Sequence, residues 1–472
     1  MRLKPLETGR PAASGTRWCR GLTVALVGWL AVGAALANPF ETQLDNGMRV
    51  VVKEDRRAPS VVHMVWYKVG AMDEMDGASG VAHVLEHMMF KGTEQVGPGE
   101  FNKIVAGVGG RDNAFTSYDY TAYFQQVPAD QLARMMSLEA DRMRGLRFAD
   151  DDFTKEVEVV KEERRMRTED KPRSLVYEEL MATAYHAHPY RRPVIGWMND
   201  LEHMRAEDAR QWYRRWYAPQ NATLVVVGDV DHTQVFDDAR RIYGAVASGA
   251  ALPTRPDIVE PPRRGERRVT VRAPAELPYI AMAWAAPTLK DPVADTDVYA
   301  LQVLAAVLDG YPGARLSRHL VRDAQVAVSA GAGYDGIGRG PQLFYLDGAP
   351  APGKSVDEVE AALRAELARI QTDGIGEDEL ARVKAQAVAS RVYQRDSLMG
   401  QAMEIGQLEV IGLSWRDEAT MLEGIRQVSA EQVRAVANRY FSDEDLTIAV
   451  LHPLPLPADK PRRPALPTRH GS

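Results

Sequence analysis

The sequence RWYAPQNATLVVVG at residues 215–228 has a counterpart 224 residues further on, RYFSDEDLTIAVLH at residues 439–452. Just upstream, Ala206-Glu207 corresponds at the same spacing to Ala430-Glu431. In both copies the pattern predicts a helix that ends in an aromatic pair and leads into a strand rich in β-branched residues. Chance could produce any one match, but an ordered series without gaps favours a duplicated α+β unit. The copies would occupy residues 38–250 and 268–452.

The composition of the chain is that of a globular protein with more than one domain. Its 472 residues suggest two or more domains, and 45% of them are hydrophobic and 26% charged. These values exclude a wholly disordered chain and a polytopic membrane protein. The net charge of −7 argues against a nucleic-acid-binding protein, which usually has a basic surplus. Residues 251–267 contain four prolines and predict a linker, and the proline-rich residues 453–472 predict a loose tail.

Residues 1–37 have the pattern of a secretory signal peptide. Five basic residues precede an uncharged apolar stretch at 21–34, and Ala35-Leu36-Ala37 suits cleavage before Asn38. An uncleaved signal anchor is the alternative, although the apolar stretch is short for a membrane span. Cleavage would remove five positive charges, one negative charge and the single cysteine, Cys19, and would change the net charge from −7 to −11. We expect a mature protein without a membrane span, periplasmic or secreted.

The pentapeptide His83-Val84-Leu85-Glu86-His87 is the strongest chemical signal in the sequence. Residues four apart share a face of a helix, so His83 and His87 can bind one ion, and neutral imidazoles suit Zn²⁺. Glu86 would lie close to that ion without being forced to bind it. This is the position for a general base that takes a proton from water. The alternative is a helix with two incidental histidines.

A catalytic zinc site needs a third protein ligand and leaves a fourth position open. The helix predicted at residues 152–167 offers several glutamates, of which Glu156 and Glu163 lie two turns apart along one face. One of them could bind the metal while the other orients a ligand. The alternative is a solvated acidic helix whose glutamates pair with neighbouring lysines and arginines.

These segments together resemble the pitrilysin family of zinc peptidases, the inverzincins, in which the His-x-x-Glu-His order is inverted relative to the commoner zinc proteases. The similarity covers the segments Gly80–Thr93, Asn113–Ser117, Glu156–Glu163, His188–Tyr190 and Pro193–Gly196. The resemblance implies an α+β fold of two homologous α/β-sandwich repeats, with antiparallel-rich sheets and helices packed on one face. It also implies that the N-terminal repeat is active and the C-terminal repeat inactive.

The resemblance assigns the metal site by position. His83, His87 and Glu163 would bind one Zn²⁺ per chain. Glu156 would be a catalytic carboxylate that orients the site without binding the metal, and Glu162 is kept as a less favoured ligand.

The resemblance likewise assigns the reacting groups and the contacts to a peptide substrate. Glu86 would be the general base. An edge strand would bind extended substrate through Asn113 and Ala114, and Phe115 would lie beside the scissile bond.

The second copy lacks the zinc motif, since at the 224-residue spacing His83–His87 correspond to Val307–Tyr311, which contain no histidine. The resemblance implies that the inactive copy supplies an arginine and a tyrosine to the substrate carbonyl. Arg322 matches the arginine, but Val328 occupies the tyrosine position, and the nearest tyrosine is Tyr334. Either Tyr334 reaches the site or a partner chain supplies the missing group. The resemblance also implies that a chain with two repeats forms a homodimer, or a heterodimer with a related subunit.

The sequence therefore predicts a zinc-dependent endopeptidase that cleaves extended peptides or unfolded protein segments. A non-catalytic peptide-binding or scaffold subunit of a heterodimeric peptidase is the alternative, although both histidines, the base and the distal glutamate are present. A zinc esterase or amidase is a third possibility. The edge-strand segment argues against it, because small substrates need no such strand.

Overall fold

Each half of the chain forms one mixed β-sheet with helices packed against it. A computed structural model describes residues 39–456; the predicted signal peptide and residues 457–472 of the predicted tail lie outside the described residues. The strands are β1 (Phe40–Gln43), β2 (Arg49–Glu54), β3 (Ser60–Tyr67), β4 (Arg111–Thr116), β5 (Thr121–Pro128), β6 (Ala222–Gly228), β7 (Arg267–Pro274), β8 (Tyr279–Ala286), β9 (Ala327–Gly333), β10 (Gln342–Pro350) and β11 (Leu446–Leu454). The helices are α1 (Val81–Met88), α2 (Glu100–Gly107), α3 (Leu132–Gly145), α4 (Asp150–Arg164), α5 (Pro172–Ala184), α6 (Met198–His203), α7 (Ala206–Trp216), α8 (His232–Ile242), α9 (Thr296–Asp309), α10 (Val356–Asp373), α11 (Glu377–Gln394), α12 (Leu398–Ile411), α13 (Glu418–Gln427) and α14 (Ala430–Tyr440).

The two sheets have the same strand order, which confirms the predicted duplication of an α+β unit. The first sheet is ordered β1-β2-β6-β3-β5-β4 and the second β7-β11-β8-β10-β9. In the described part of each sheet one pair is parallel, β2 with β6 and β7 with β11, and the other pairs are antiparallel. Strand β1 is an addition at the end of the first sheet.

The central strands are apolar on both faces because both faces of the first sheet are buried. In β3, Val61 and Val65 pack into one core, whereas Val62 and Met64 pack into another. Alternate residues of a strand point to opposite faces. An unbroken valine-rich run is therefore typical of a strand covered on both sides.

One face of each sheet is covered by helices of its own repeat, and the other face by a helix of the other repeat. Helices α3 and α8 pack on the first sheet, and α12 from the second half lies across its opposite face against β3 and β6. Helix α5 from the first half covers the second sheet against β7, β8 and β11, opposite α10 and α14. Glycine is needed at position 406 of α12, because a side chain there would collide with the Trp66 indole.

The 224-residue spacing holds only at the end of each repeat. It relates α7 to α14 and the first residue of β6 to that of β11, but β8 and α9 begin earlier than this spacing predicts from β3 and α1. The sequence comparison of His83–His87 with Val307–Tyr311 is therefore wrong in register. Val307–Asp309 end α9, and the next two residues follow it. Insertions and deletions in the connections shift the register without changing the sheet.

The segment between the sheets has no regular structure over residues 251–264, in keeping with its prolines. Arg255 within it donates hydrogen bonds to the Asp73 carboxylate at 2.7 Å and to the Lys68 carbonyl. At the other end of the second repeat, β11 continues to Leu454 and so enters the predicted tail by two residues. Pro453 fits there because β8 pairs with β11 only as far as Leu451. Among the described helices we find none with the length and apolar character of a bilayer span.

Candidate active site

Helix α1 begins at two glycines that pack against each other. Gly80, which precedes the helix, has φ +87°, and a Cβ on it would lie 2.7 Å from the Ile195 carbonyl oxygen. Gly196 also has φ +87°, and a Cβ there would lie 2.7 Å from the Cα of Gly80. Glycine adopts this backbone conformation without steric cost. The Pro193–Gly196 segment noted in the sequence thus fixes where α1 starts.

Two buried acidic residues complete the start of α1. The Glu74 carboxylate accepts hydrogen bonds from the N–H groups of Gly80 at 2.8 Å and Ala82 at 2.9 Å. These are among the N–H groups that a helix leaves without partners at its first turn. Burial raises the pKa of Glu74 to about 8, against the opposing effect of these two bonds. Asp200 accepts hydrogen bonds from both the N–H and the hydroxyl of Ser79.

His83 and His87 on α1 and Glu163 on α4 converge at one point. Their ligand atoms all lie within 4.8 Å of one another. Glu163 Oε2 is 3.7 Å from Nε2 of His83 and 3.4 Å from Nε2 of His87. Burial, assisted by the positive charges of His87 and Arg167, lowers the pKa of His83 to about 3 and keeps this imidazole neutral.

This set of atoms fits a zinc ion. Two histidines and one glutamate form a known catalytic zinc set, and tetrahedral ligands at about 2.0–2.2 Å from the metal stand about 3.3–3.6 Å apart. The observed separations of 3.4 and 3.7 Å are close to that value. Neutral His83 is in the protonation state that metal binding requires.

Glu156 contacts the far side of the second histidine. Its Oε2 lies 3.3 Å from Nδ1 of His87, and its Oε1 lies 2.5 Å from Nζ of Lys91. Burial opposes the charged form of His87, but the hydrogen bond to Glu156 and the charges of Glu86 and Glu163 outweigh it and raise the pKa of His87. A proton held on Nδ1 by Glu156 leaves Nε2 free to face Glu163, which is the usual arrangement of a carboxylate behind a metal-binding histidine.

Glu86 lies beside this cluster and is held by one hydroxyl group. The Thr116 hydroxyl donates a hydrogen bond of 2.5 Å to Glu86 Oε2. Burial raises the pKa of Glu86, while the Thr116 hydrogen bond and the positive charge of His87 partly oppose the rise. A carboxylate with a raised pKa is a better proton acceptor than an ordinary glutamate, as a general base requires.

The helix that carries Glu163 changes its winding directly after that residue. Helix α4 ends at Arg164, and Arg165–Glu169 continue as one π-helical stretch. Such stretches occur often at functional sites. Arg167, one turn beyond Glu163, approaches Glu163 Oε1 to 2.6 Å. Glu162, the less favoured ligand, instead pairs with Arg165 at 3.0 Å and has a side chain that is 59% exposed.

Strand β4 forms the free edge of the first sheet and carries the predicted substrate contacts. It pairs with β5 on one side and ends the strand order. The Ala114 N–H donates to the side-chain oxygen of its neighbour Asn113 at 2.9 Å. Phe115 packs edge-on against Trp66 with ring centroids 5.5 Å apart and reaches the cleft with its remaining surface.

A cleft of about 810 Å³ joins the metal cluster, Glu86 and β4. The wall of the same cleft also contains Thr116, Val159, Met166, Val194 and Ile195. Among the described residues, those that line this cleft all belong to the first repeat.

The structure does not bring the predicted residues of the second repeat to this cleft. Arg322 is exposed on the π-helical stretch Ser317–Asp323 and donates a hydrogen bond to the Pro312 carbonyl. Val328 is 45% exposed at the start of β9. Tyr334 is buried, and its hydroxyl donates to the Pro287 carbonyl at 2.6 Å. The alternative in which Tyr334 of the same chain reaches the site is therefore wrong, because its polar group is already satisfied inside its own repeat.

The second repeat does contact the segment behind α1. Arg339, in the connection between β9 and β10, donates two hydrogen bonds of 2.8 and 3.0 Å to the Asp73 carboxylate. Asp73 directly precedes Glu74. The N–H of Gly340 also donates to the Tyr190 hydroxyl at 2.9 Å. The second repeat thus contacts the first at Asp73, the neighbour of Glu74, whose carboxylate accepts hydrogen bonds from the start of α1.

Sequence reasoning missed the residues that hold the site from outside the motif. Thr116 lay within the edge-strand motif without a role, and Lys91 lay four residues beyond His87 in the matched segment. Neither type of residue signals such a contact by itself. Glu74 carried no motif at all, and its role depends on chain packing that no local pattern reveals.

Comparison with known proteins matches both halves of the chain. Residues 49–197 match the domain family described as Insulinase (Peptidase family M16), and residues 203–387 match the Peptidase M16 inactive domain. A protein named zinc protease PqqE, from Helicobacter pylori, is 30% identical over 417 residues, which cover 87% of this chain and 92% of that protein.

Solved structures share the fold. A protease from Helicobacter pylori has a TM-score of 0.84 at 29% identity, and the match covers 88% of this chain and 100% of that one. The periplasmic protease PqqL from Escherichia coli has a TM-score of 0.75 at 20% identity, over 88% of this chain and 47% of that one. The second similarity is one of fold.

Proposed function

The chain belongs to peptidase family M16, the pitrilysin family, and from this premise we propose that it is a zinc-dependent endopeptidase that cleaves extended peptides or unfolded protein segments. One observation carries the proposal. The ligand atoms of His83, His87 and Glu163 lie within 4.8 Å of one another, in a cleft that also contains Glu86 and the free edge of a sheet. A structural ion-pair cluster would not need a free sheet edge beside it.

Glu86 is the group that moves protons in this proposal. A zinc ion bound by the three ligands would supply Lewis acidity for water and for the scissile carbonyl. The Glu86 carboxylate accepts a proton from the attacking water and returns it to the nitrogen of the leaving amine. The Thr116 hydroxyl holds Oε2 of this carboxylate in one place at 2.5 Å. Glu156 fixes His87 through Nδ1 and so keeps the cluster in register with Glu86.

The free edge of β4 supports an extended peptide as the substrate. An added strand would pair with the backbone of β4, in the mode in which many proteins bind peptides. The Ala114 N–H, which donates to Asn113 in the free chain, would donate to a substrate carbonyl instead. A folded protein cannot present such a strand without local unfolding, so unstructured segments are favoured.

We propose further that the working form is a homodimer or a heterodimer with a related subunit. Among the described residues, no side chain of the second repeat lines the cleft, and the exposed Arg322 donates a hydrogen bond to the Pro312 carbonyl. A second subunit facing the cleft could present its Arg322 there. Mixing Glu86→Gln chains with Arg322→Ala chains tests this: recovery of activity in the mixture would require an arginine acting across subunits, and no recovery would contradict that role.

The proposed location is the periplasm or the exterior of the cell. The basic and apolar pattern of residues 1–37 supports it. A structural relative, PqqL, is described as periplasmic. Mass spectrometry of the exported chain would find Asn38 at its N-terminus if the proposed cleavage occurs.

The test of the proposed activity uses a pair of glutamate variants from the same cleft. The zinc-loaded chain is incubated with unstructured peptides, with and without a chelator, and the products are read by mass spectrometry. We expect Glu86→Gln to retain stoichiometric zinc and to lose about 10²–10⁴-fold in kcat/KM, the usual contribution of a general base. Glu162→Gln, which changes an exposed glutamate of the same cleft, should retain activity. Unchanged turnover in Glu86→Gln would refute the assignment, and zinc binding without any cleavage would favour the scaffold subunit.

A further inference from the structure

A second cavity lies next to the active-site cleft and shares part of its wall. It has a volume of about 340 Å³. Thr168, Val194 and Ile195 line both the cleft and this cavity. A side chain of a peptide bound in the cleft would therefore have the cavity directly beside it. The volume is within the range of sites that hold small ligands.

The walls of this cavity are aromatic and come from both repeats. Tyr118 follows β4, Tyr177 belongs to α5, and Tyr345 belongs to β10 of the second repeat. The rings of Tyr177 and Tyr345 meet edge to face with centroids 6.1 Å apart. Met181 lies one turn beyond Tyr177 on α5 and adds an apolar surface.

The charged groups Glu178 and Arg191 at the cavity each have an ion-pair partner, although the buried Nε of Arg191 has no hydrogen-bond partner among the described residues. Glu178 accepts two hydrogen bonds from Arg164, at 2.7 and 2.8 Å. Arg191 donates to Asp76 at 2.5 Å. A charged ligand would have to compete with these pairs, whereas an uncharged ring would not. The cavity thus offers tyrosine rings and aliphatic side chains rather than a free charge.

The position of the cavity follows from the direction of the edge strand. Thr116, the last residue of β4, contacts the proposed base Glu86, and Tyr118 lies two residues further along the chain. An extended chain advances about 3.3 Å per residue. A peptide paired with β4 and cut beside Glu86 would therefore pass the cavity within a few residues of the scissile bond.

We propose that this tyrosine-lined cavity is a subsite for an aromatic side chain of the peptide substrate, a few residues from the scissile bond. The inference rests on the proposed function, since it takes a peptide bound along β4 as the occupant. Aromatic rings favour edge-to-face contacts with other rings, and the cavity presents three. Because Tyr345 belongs to the second repeat, the inactive copy would contribute to substrate selection.

The experiment measures binding first, so that it does not depend on cleavage. Labelled peptides of one length carry a single phenylalanine that is moved one residue at a time, on either side of the central bond, in an otherwise alanine- and serine-rich sequence. Their dissociation constants are measured with the full zinc-loaded Glu86→Gln chain. We expect one position, two to four residues from the bond, to bind about fivefold more tightly than the all-alanine peptide, the gain that aromatic contacts provide.

Variants of the cavity then assign that gain. Tyr177→Ala, and Ser174→Trp, which fills the cavity, should bring the ratio of the two dissociation constants close to one. Tyr393→Ala changes a tyrosine that is 73% exposed and lies outside the cavity, and it should preserve the ratio. Equal binding of all peptides by the Glu86→Gln chain, or a ratio unchanged by both cavity variants, would overturn the proposal. So would a cavity variant that changes only the oligomeric state, which would make the cavity a contact between subunits. The parent chain with Glu86 intact is tested for cleavage separately: selective binding without cleavage would support the subsite and refute the proposed peptidase.

Discussion

Helix α1 of the first repeat and helix α9 of the second follow corresponding strands of two sheets that share one strand order. In α1, Val84, Leu85 and Met88 face the core, while His83, Glu86 and His87 contact the cleft. In α9, nine of the fourteen residues are buried apolar or aromatic side chains, among them Leu301, Leu304 and Leu308. The comparison shows that the fold needs a helix at this place but does not need its polar face.

The polar side chains of α1 need hydrogen-bonding partners, whereas the apolar side chains of α9 do not. Glu74 holds its start, Thr116 holds Glu86, and Glu156 with Lys91 holds His87. Buried polar groups are costly unless each has a partner. The second repeat replaces such a network with apolar packing, which stabilises the domain and gives no chemistry.

The largest effect should come from removing Glu163, the proposed metal ligand on α4. In Glu163→Gln we expect zinc affinity to fall by more than about 100-fold, beyond the usual effect of residues that only support a ligand. Glu162→Gln, one residue away, should bind zinc like the parent chain. Isothermal titration with zinc measures both. If Glu163→Gln binds zinc like the parent chain, Glu163 is not a ligand. Glu162 or Glu156 would then complete the site with the two histidines of α1.

Truncating a side chain of α9, the apolar counterpart of α1, should lower the stability of the fold and leave zinc affinity unchanged. Leu304→Ala in α9 removes a fully buried side chain and should lower the free energy of unfolding by about 2–5 kcal/mol. Zinc affinity of the folded chain should be unchanged. Val293→Ala, at a residue that is 76% exposed, should change stability by less than about 0.5 kcal/mol. Loss of zinc binding in folded Leu304→Ala would show that the second repeat controls the site.

A smaller effect should follow from removing the hydroxyl that holds Glu86. Thr116→Val deletes a hydrogen bond that lowers the pKa of Glu86, so this pKa should rise. The acidic limb of the kcat/KM profile should move to higher pH, because the proposed base must be ionised to accept a proton, and kcat should fall about tenfold. Thr116→Ser keeps a hydroxyl and should restore the parent profile. A lower kcat without a shift of the limb would assign Thr116 to packing alone.

The smallest effect concerns the junction of the two repeats. Burial, together with the charges of Arg192, Arg339 and Lys290, lowers the pKa of His188 to about 4, although Glu260 opposes the shift. Between pH 6.5 and 4 the unfolded chain therefore binds a proton that the folded chain does not, and stability falls as the pH falls.

The His188→Asn variant keeps an acceptor for the Tyr190 N–H, because its amide oxygen can replace Nδ1. It has no titrating group at this position, so the loss of stability that His188 causes at low pH should be absent. We expect a difference on the order of 1 kcal/mol between pH 7 and pH 4.5, measured by chemical denaturation. Parallel pH curves for the two proteins would show that His188 does not titrate in this way.

The local sequence pattern was sufficient to predict several helices and strands and the candidate metal ligands. The runs of β-branched residues in the two repeat copies predicted β6 and β11, and the spacing of His83, Glu86 and His87 placed three side chains on one turn of α1. These inferences depend on the periods of strands and helices, which neighbouring residues determine. The repeat at residues 215–228 and 439–452 predicted two similar sheets for the same reason, since α7 with β6 and α14 with β11 keep one spacing.

The sequence by itself determined which side chains could meet a metal and that the fold occurs twice, because helical and strand periods act over a few residues. Only the tertiary structure decided which helix covers which sheet, that Thr116 meets Glu86 across 30 residues of chain, and that the hydroxyl of buried Tyr334 donates to the Pro287 carbonyl. The apolar residues of α5 and α12 predict burial but do not specify a partner sheet. That choice depends on shape and packing between segments far apart in sequence, and so it exists only in the folded chain.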